Sequence, residues 1–512
     1  MSRSFSILWP HSAARADHAL QVEPETLTDL NIDQIIAAVA ADEFRPRLAE
    51  FLSCPVHDLN TIRDRHEVFR DLENPAIRTA CSKLATEMDS VREQLVKSQK
   101  AHHSPQQHRF HLDAASTYCA AVKAHWQALH NAACRSRGLR EWRDHVGAYV
   151  NSPEFQRLDS DTRKVLEQFD KVRFSISIHE NTQVTVHRFD NLPDYSSTIS
   201  DAFAAFQDEA SPPARPDRSH NTDTHPVEEQ ITEYLADLFP AQFRDLDAVA
   251  RSHREFVDTT IDTFCDEIQF YLFYTAFIDR LVAAGLHFTY PELTETFDGV
   301  QAAGAYDLAL AIKVVQNQGR VVSNDFSLTG AERVLLVTGP NQGGKSTFAR
   351  TFGQLAYLAA LGCPVPATAA RLLVPVNLFT HFERRENLAN PEGKLQDELA
   401  RMYETLAQTT DRTIIVMNES FSSTTTLDAE EIGAEILRRI ISLRAVAVFV
   451  TFLDELAGFD PAIVSMVAGV GADATERTFK VVRRPADGKA HAVAIAELYS
   501  LTYDAIVGRI SS

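Results

Sequence analysis

An α/β domain built on a mostly parallel sheet, preceded by a mainly α-helical region with a small β-hairpin, is the fold class this sequence predicts. Three observations carry it. From Leu27 to about Phe169 apolar residues recur at three and four positions, with few Gly or Pro, as in helices that bury one stripe. From Arg333 onward short apolar runs alternate with helical stretches, as in a parallel sheet covered on both faces. Between these regions and the last strands, the buried-strand run Val334–Val337 enters the glycine-rich stretch Thr338-Gly-Pro-Asn-Gln-Gly-Gly-Lys-Ser-Thr347.

In chain order, Ile35-Ile36-Ala-Ala-Val39, Phe51-Leu52 and Val91 to Val96 lie on helical stripes. Phe174, Ile176 and Ile178 alternate with Ser175 and Ser177, and Asn181-Thr182 turns the chain into Val184 and Val186. That period of two predicts the hairpin. Asp208 to Pro226 contains Ser211-Pro-Pro-Ala-Arg-Pro216 and is expected to be a flexible linker (208–226), because it has too little apolar surface to bury. Helical periodicity resumes at Val227 and runs to about Ala284; that helix reads equally as a lever between domains or as a bundle helix. Val334–Val337, Thr413–Met417 and Val446–Thr451 are the clearest strands, with a helix over Asp428–Ile441 between the last two. The expected domains are an N-terminal extension (1–26), a helical core and lever region (27–300) and the α/β domain (301–512).

The chain has 512 residues and a formal net charge of -20, long enough for several domains. Ala331–Ser512 carries 18 Lys and Arg against 21 Asp and Glu, leaving 32 against 49 for residues 1–330. A face that tracks duplex phosphates needs Lys and Arg, so the acidity of the N-terminal part argues against tight nonspecific DNA binding there. Six scattered cysteines without a C-x-x-C pair indicate reduced thiols and a cytoplasmic location. Met1 to Pro10 is too weakly basic and apolar for a signal peptide. The most apolar helical stretch, Ile268 to Ala284, is broken by Asp279 and Arg280, so no membrane association is expected.

Gly339, Gly344, Lys345 and Ser346 occupy the fixed places of G-x-x-x-x-G-K-[ST], the P-loop or Walker A pattern. Phe348 to Leu361 continues as a helix, ended by Gly362 and Pro364. Glycines let backbone N–H groups close around phosphate oxygens, and a helix N-terminus adds positive potential. The expected nucleotide-binding residues are Gly339, Pro340, Asn341, Gln342, Gly343, Gly344, Lys345, Ser346 and Thr347, with Lys345 on the β/γ-phosphates of ATP and Ser346 on Mg²⁺. Asn418 and Glu419 follow the strand that ends at Met417. Glu419 is the candidate catalytic base beside Lys345, and Asn418 is a weak Mg²⁺ ligand, because it lacks the negative charge that Mg²⁺ prefers. The third strand ends in Thr451-Phe452, and Phe452 has no group that could bond a phosphate.

With these residues in place, the C-terminal part resembles the ATPase domain of the MutS family of DNA mismatch-repair proteins. The loop Thr338–Thr347 is closer to that family's form than to a generic one. Ser323-Asn-Asp-Phe326 is similar to the segment that borders adenine in the family, which implies a nucleotide-binding role for Phe326. Leu378-Phe-Thr-His381 and Glu386-Asn-Leu-Ala389 resemble the lead into the signature segment, where Glu398 matches a family acid and Gly393 and Lys394 replace Ser-Thr. Thr424-Thr-Thr426 and Asp428 follow Glu419 at the family's spacing. Phe51-Leu52, Pro55, Asp58, Ile62 and Arg65 resemble the start of the helical core, and Tyr290-Pro-Glu-Leu293 the end of the levers. The resemblance implies an ABC-like P-loop NTPase fold, ATP and Mg²⁺ as cofactors, and a homodimer that closes on ATP. It implies action on DNA, read by structure rather than by sequence. Residues before Leu27 leave no room for the family's mismatch-reading domain, so direct mismatch recognition is not expected. Asn418 replaces the Asp usual in P-loop ATPases, and Phe452 stands where many relatives place His; weakened hydrolysis is expected. The alternative is a non-catalytic, nucleotide-gated binding or scaffold protein with a degenerate ATPase site. A transport ATPase is disfavoured, since neither a membrane span nor Leu-Ser-Gly-Gly-Gln is present.

Overall fold

The computed structural model describes residues 5–10, 20, 22–40, 46–178, 184–189, 226–383, 393–470, 477–486 and 507. The expected linker, apart from Pro226, lies outside them, as do Asn181-Thr182 and the segment Glu386–Ala389. Among the described residues, eight helices come first: α1 (Pro24–Asp29), α2 (Ile32–Val39), α3 (Pro46–Leu52), α4 (Leu59–Leu72), α5 (Pro75–Lys100), α6 (Ser104–Asn131), α7 (Arg137–Val150) and α8 (Pro153–Phe169). Their starts follow local chemistry: the Asp58 carboxylate accepts from Thr61 N at 2.9 Å, and the Ser152 hydroxyl from Phe155 N at 3.2 Å. Strands β1 (Phe174–Ile178) and β2 (Val184–Arg188) pair antiparallel, Ile176 opposite Val186, as the alternation predicts.

The single periodic stretch from Val227 to Ala284 is corrected to three helices, α9 (Pro226–Leu238), α10 (Pro240–Ser252) and α11 (Thr259–Ala283). Pro240 cannot continue α9, because it lacks an N–H and clashes with the preceding turn. Asp258 restarts the chain as a cap, accepting from Thr260 N at 2.8 Å and Ile261 N at 3.0 Å.

Contacts divide the chain into two compact units, Met1–Arg78 with Cys134–Arg140 and Asp266–Ser512, and Thr79–Ala133 with Glu141–Cys265. The expected 27–300 region contributes to both. Among its described residues the second unit is helical apart from the hairpin. Its core holds Trp142, fully buried and stacked on Phe264 with centroids 3.8 Å apart. Trp142 Nε1 donates to His125 Nε2 at 2.9 Å, while His125 Nδ1 meets the Ala80 carbonyl at 3.0 Å.

The first unit contains β3 (Glu292–Thr294), β4 (Val300–Ala305), α12 (Leu308–Gln316), β5 (Asn324–Leu328), β6 (Val334–Thr338), α13 (Lys345–Ala360), β7 (Ala369–Leu373) and β8 (Asn377–Phe382). It continues with α14 (Lys394–Ala407), β9 (Thr413–Asn418), α15 (Thr426–Ser442), β10 (Val446–Val450), β11 (Ile463–Val470) and β12 (Arg477–Arg483). A six-stranded sheet runs β12-β11-β6-β10-β9-β8. All its pairs are parallel except β11 with β12. Strands β6, β9 and β10 are apolar along both faces and buried, as a sheet covered on both sides requires. A second sheet, β3-β7-β4-β5, has no counterpart in the sequence expectations. Its strands are short, and β4 reads Val300-Gln-Ala-Ala-Gly-Ala305, too small and polar to announce a strand. Phe5–Pro10 also packs into this unit: Ile7 and Leu8 are buried, and the Glu267 carboxylate accepts from Ile7 N at 2.8 Å and Ser6 Oγ at 2.8 Å.

Candidate functional site

Strand β6 lies inside the six-stranded sheet, and its carboxyl end delivers the glycine-rich loop, the usual ligand end of such a sheet. Gly339 has φ 116°, and a Cβ there would stand 3.1 Å from the Cβ, N and O of Ala468. Gly344, at φ 94°, sits one residue before α13. Both positions need a residue without a side chain. Lys345 opens α13 nearly buried, and its Nζ donates to the Gly339 carbonyl at 2.8 Å and to Asn341 Oδ1 at 3.2 Å. An ammonium has three donors; these bonds use two and leave the third for an anionic oxygen. Burial lowers the Lys345 pKa, while the charges of Glu419 and Asp454 oppose that shift.

A cleft of about 600 Å³ opens beside the loop. Asn341, Gln342, Gly344, Lys345, Ser346, Thr347 and Glu419 line its polar side, so these expected residues converge. Gly339, Pro340 and Gly343 shape the loop behind them. The other wall is mainly apolar, from Leu310 and Val314 on α12, Val321 and Val322 before β5, and Phe479 on β12, with Arg320 beside Val321. Two clamps hold this wall. Asn324 Nδ2 donates to the Phe479 carbonyl at 3.3 Å, and its Oδ1 accepts from Val481 N at 2.8 Å. Gln354, fully buried on α13, accepts from Leu308 N at 2.7 Å and donates to Asp307 Oδ1 at 2.8 Å, which ties α12 to the loop helix. An apolar slot beside a cationic loop accommodates a flat ring joined to an anionic group.

Phe326, expected beside the nucleotide, is not among the residues that line this cleft. Its ring is buried against Phe348 and Phe352, with centroids 5.9 and 5.0 Å away. Alternation along β5 turns Asn324, Phe326 and Leu328 to the same side, and Phe326 is drawn into the core. The apolar wall was missed. Val321-Val322 could have signalled it, but Phe479 had no local signal because it arrives from β12.

Glu419 follows β9 in the left-handed region, at φ 52°, and Phe421 does so again at φ 64°. For residues with side chains such conformations cost roughly 1–3 kcal/mol each and must be held by their surroundings. Glu419 N donates to the Val450 carbonyl at 2.9 Å. Asn418, at the tip of β9, has a buried Oδ1 with no hydrogen-bond partner among the described residues. A buried acceptor left unpaired costs free energy, so Asn418 Oδ1 fits a role toward Mg²⁺ or its waters, with the Ser346 hydroxyl on the cleft side. Phe452 is 55% exposed. Thr425 caps α15, its hydroxyl accepting from Asp428 N at 3.3 Å, while the Asp428 carboxylate accepts from Thr425 Oγ1 at 2.7 Å and Thr424 Oγ1 at 3.1 Å. Gly393 precedes α14, and Lys394 pairs with Glu383 at 2.6 Å. In the second unit, His103 lies 3.3 Å from Glu233 and His108 3.6 Å from Asp247. Among the described residues, no group of three or more His, Cys, Asp or Glu side chains is arranged to hold a metal. None of their helices is long and apolar enough to cross a membrane.

Residues 335–507 match the family model of MutS domain V. The chain is 31% identical to the DNA mismatch repair protein MutS of Halalkalibacterium halodurans over 224 residues, 41% of this chain and 26% of that protein. It is 28% identical to the protein of the same name from Shouchella clausii, over 42% of this chain and 25% of that protein. For the one from Brevibacillus brevis it is 28% identical, over 41% and 25%. The match spans about a quarter of each relative's length. The similarity to MutS proteins is carried by this C-terminal part of the chain.

Proposed function

We propose that this chain is a P-loop ATP-binding protein of the MutS type, a homodimeric ATPase that acts on DNA structures in repair or recombination. The observation that carries the reading is the pairing of the Lys345 ammonium with an apolar slot in one cleft. The slot would take the base, and the loop N–H groups and Lys345 Nζ the phosphates. Ser346 Oγ and Asn418 Oδ1 would hold Mg²⁺, which when bound neutralises phosphate charge and polarises the γ-phosphoryl group. Glu419, at the cleft wall beside Lys345, would orient the attacking water and take its proton. In the homodimer the signature segment after Gly393 would close the partner's nucleotide site. No membrane partner is invoked, and the cytoplasm suits the reduced thiols.

The test is equilibrium binding of ATP to the full chain with Mg²⁺, together with light scattering and turnover with and without branched, mismatched and plain duplex DNA. Binding that Lys345→Ala abolishes, with nucleotide-dependent dimerisation, is the expected result. Wild-type protein that neither binds ATP nor dimerises refutes the reading. A second reading, a nucleotide-gated scaffold with a degenerate site, draws on the uncharged Asn418 and on Phe452. ATP retention without turnover under every DNA condition would select it.

A further inference from the structure

The carboxylate that faces the cleft sits on a turn that local bonding alone would not maintain. Glu419 and Phe421, two positions apart, are both left-handed residues with side chains. What holds Phe421 comes from two elements distant in sequence. Its N–H donates to Glu398 Oε2 of α14 at 3.0 Å, and its buried ring stacks on His381 of β8 with centroids 5.3 Å apart and planes at 23°. His381 is bound in turn at both ring nitrogens. Nε2 stands 3.1 Å from the Glu398 main-chain carbonyl, which only accepts, so Nε2 carries the proton. Nδ1 stands 2.8 Å from the Ser420 hydroxyl, whose one proton is shared between it and the His381 carbonyl at 2.9 Å. Glu398 is 1% exposed, and its other carboxylate oxygen has no hydrogen-bond partner among the described residues. Burial disfavours its charge, while the charges of Lys394 and Arg401 and the bond from Phe421 N oppose that shift.

We propose that Glu398 and His381 are positioning residues, which lock the left-handed turn Glu419–Phe421 so that the Glu419 carboxylate faces the cleft. Glu398 acts through the Phe421 N–H, and His381 through the Ser420 hydroxyl and the Phe421 ring. Neither lines the cleft. The inference rests on the reading of Glu419 as the group that orients water, and it adds the residues that aim it.

The experiment compares Glu398→Ala with Glu398→Gln in the full chain, measuring ATP affinity, kcat, KM and hydrogen exchange across 415–425. The Gln carboxamide oxygen still accepts from Phe421 N–H, whereas Ala leaves that donor buried and unpaired. Glu398→Ala is expected to lower kcat at least about tenfold, with ATP affinity within about twofold of wild type and with faster exchange at Phe421. Glu398→Gln should restore both. Equal loss in the two variants, or a loss of affinity in step with kcat, overturns the proposal, because either result marks a purely structural role. If the wild-type protein shows no turnover, the catalytic reading of Glu419 fails, and exchange alone decides the lock. Unchanged Phe421 protection in Glu398→Ala then refutes it.

Discussion

Replacing Gly339 by Ala tests the geometry of the loop directly. At φ 116° any L side chain is strained, at a cost of roughly 1–3 kcal/mol. The new Cβ would also stand 3.1 Å from three atoms of Ala468, two of them main-chain N and O of β11. Backbone inside a six-stranded sheet gives way poorly, and overpacking of this kind costs roughly 1–3 kcal/mol more. Together the two effects cost about 4 kcal/mol. Gly330 is the matched control, with φ 59° and nothing within 4 Å of an added methyl group, so Gly330→Ala pays strain alone, about 1–2 kcal/mol. The assay is thermal unfolding of both variants alongside ATP binding. At about 1.4 °C per kcal/mol for a unit of this size, Gly339→Ala should lower the midpoint of the transition reporting the first unit by roughly 6 °C. Gly330→Ala should lower it by roughly 2 °C. ATP affinity should fall at least about tenfold only for Gly339→Ala, because the shift between β6 and β11 moves the N–H groups of the loop. Equal effects of the two substitutions on midpoint and affinity would refute the argument that contact with Ala468, beyond dihedral strain, requires glycine.

Three other perturbations probe the same site and the helical unit. Glu419→Gln should reduce ATP turnover about a hundredfold or more while leaving affinity nearly unchanged; undiminished turnover would exclude Glu419 as the base. Asn418→Asp should supply the missing charge at the buried acceptor, lowering the Mg²⁺ concentration for half-maximal turnover about tenfold and raising kcat; a magnesium titration that does not move would show the position plays no metal role. Burial holds the His125 pKa down at about 4, below its ordinary 6.5, although the hydrogen bond to the Ala80 carbonyl opposes that shift. A base with a depressed folded pKa contributes full stability above about pH 6.5 and loses it as pH falls toward about 4. The loss at about pH 5 is about 2 kcal/mol, and His125→Gln should reduce this acid sensitivity in denaturant titrations at neutral and mildly acidic pH.

Legibility differed with the range of the signals. Val334–Thr338, the loop and the helix after it form a contiguous strand-loop-helix, so periodicity and glycine spacing were enough to place Lys345 and Ser346 in one cleft. The hairpin was legible for the same reason, since its two strands are neighbours in the chain. The stretch Val227–Ala284 was misread because apolar periodicity continues across Pro240, which ends α9, and across the Asp258 cap. The burial of Phe326 was not legible, because alternation along β5 says which residues share a face, not which face is the core.

By itself the sequence determined that a glycine-rich loop of the P-loop pattern stands at the end of a buried strand, with Glu419 at the tip of another, because these signals are local. Only the tertiary structure decided what surrounds them. Phe479 reaches the cleft from β12 through the Asn324 clamp, and α12 is tied to the loop helix by Gln354. The turn that carries Glu419 is held by Glu398 and by His381. Such contacts join residues far apart in the chain, and their geometry depends on how the strands and helices pack, which no local pattern encodes.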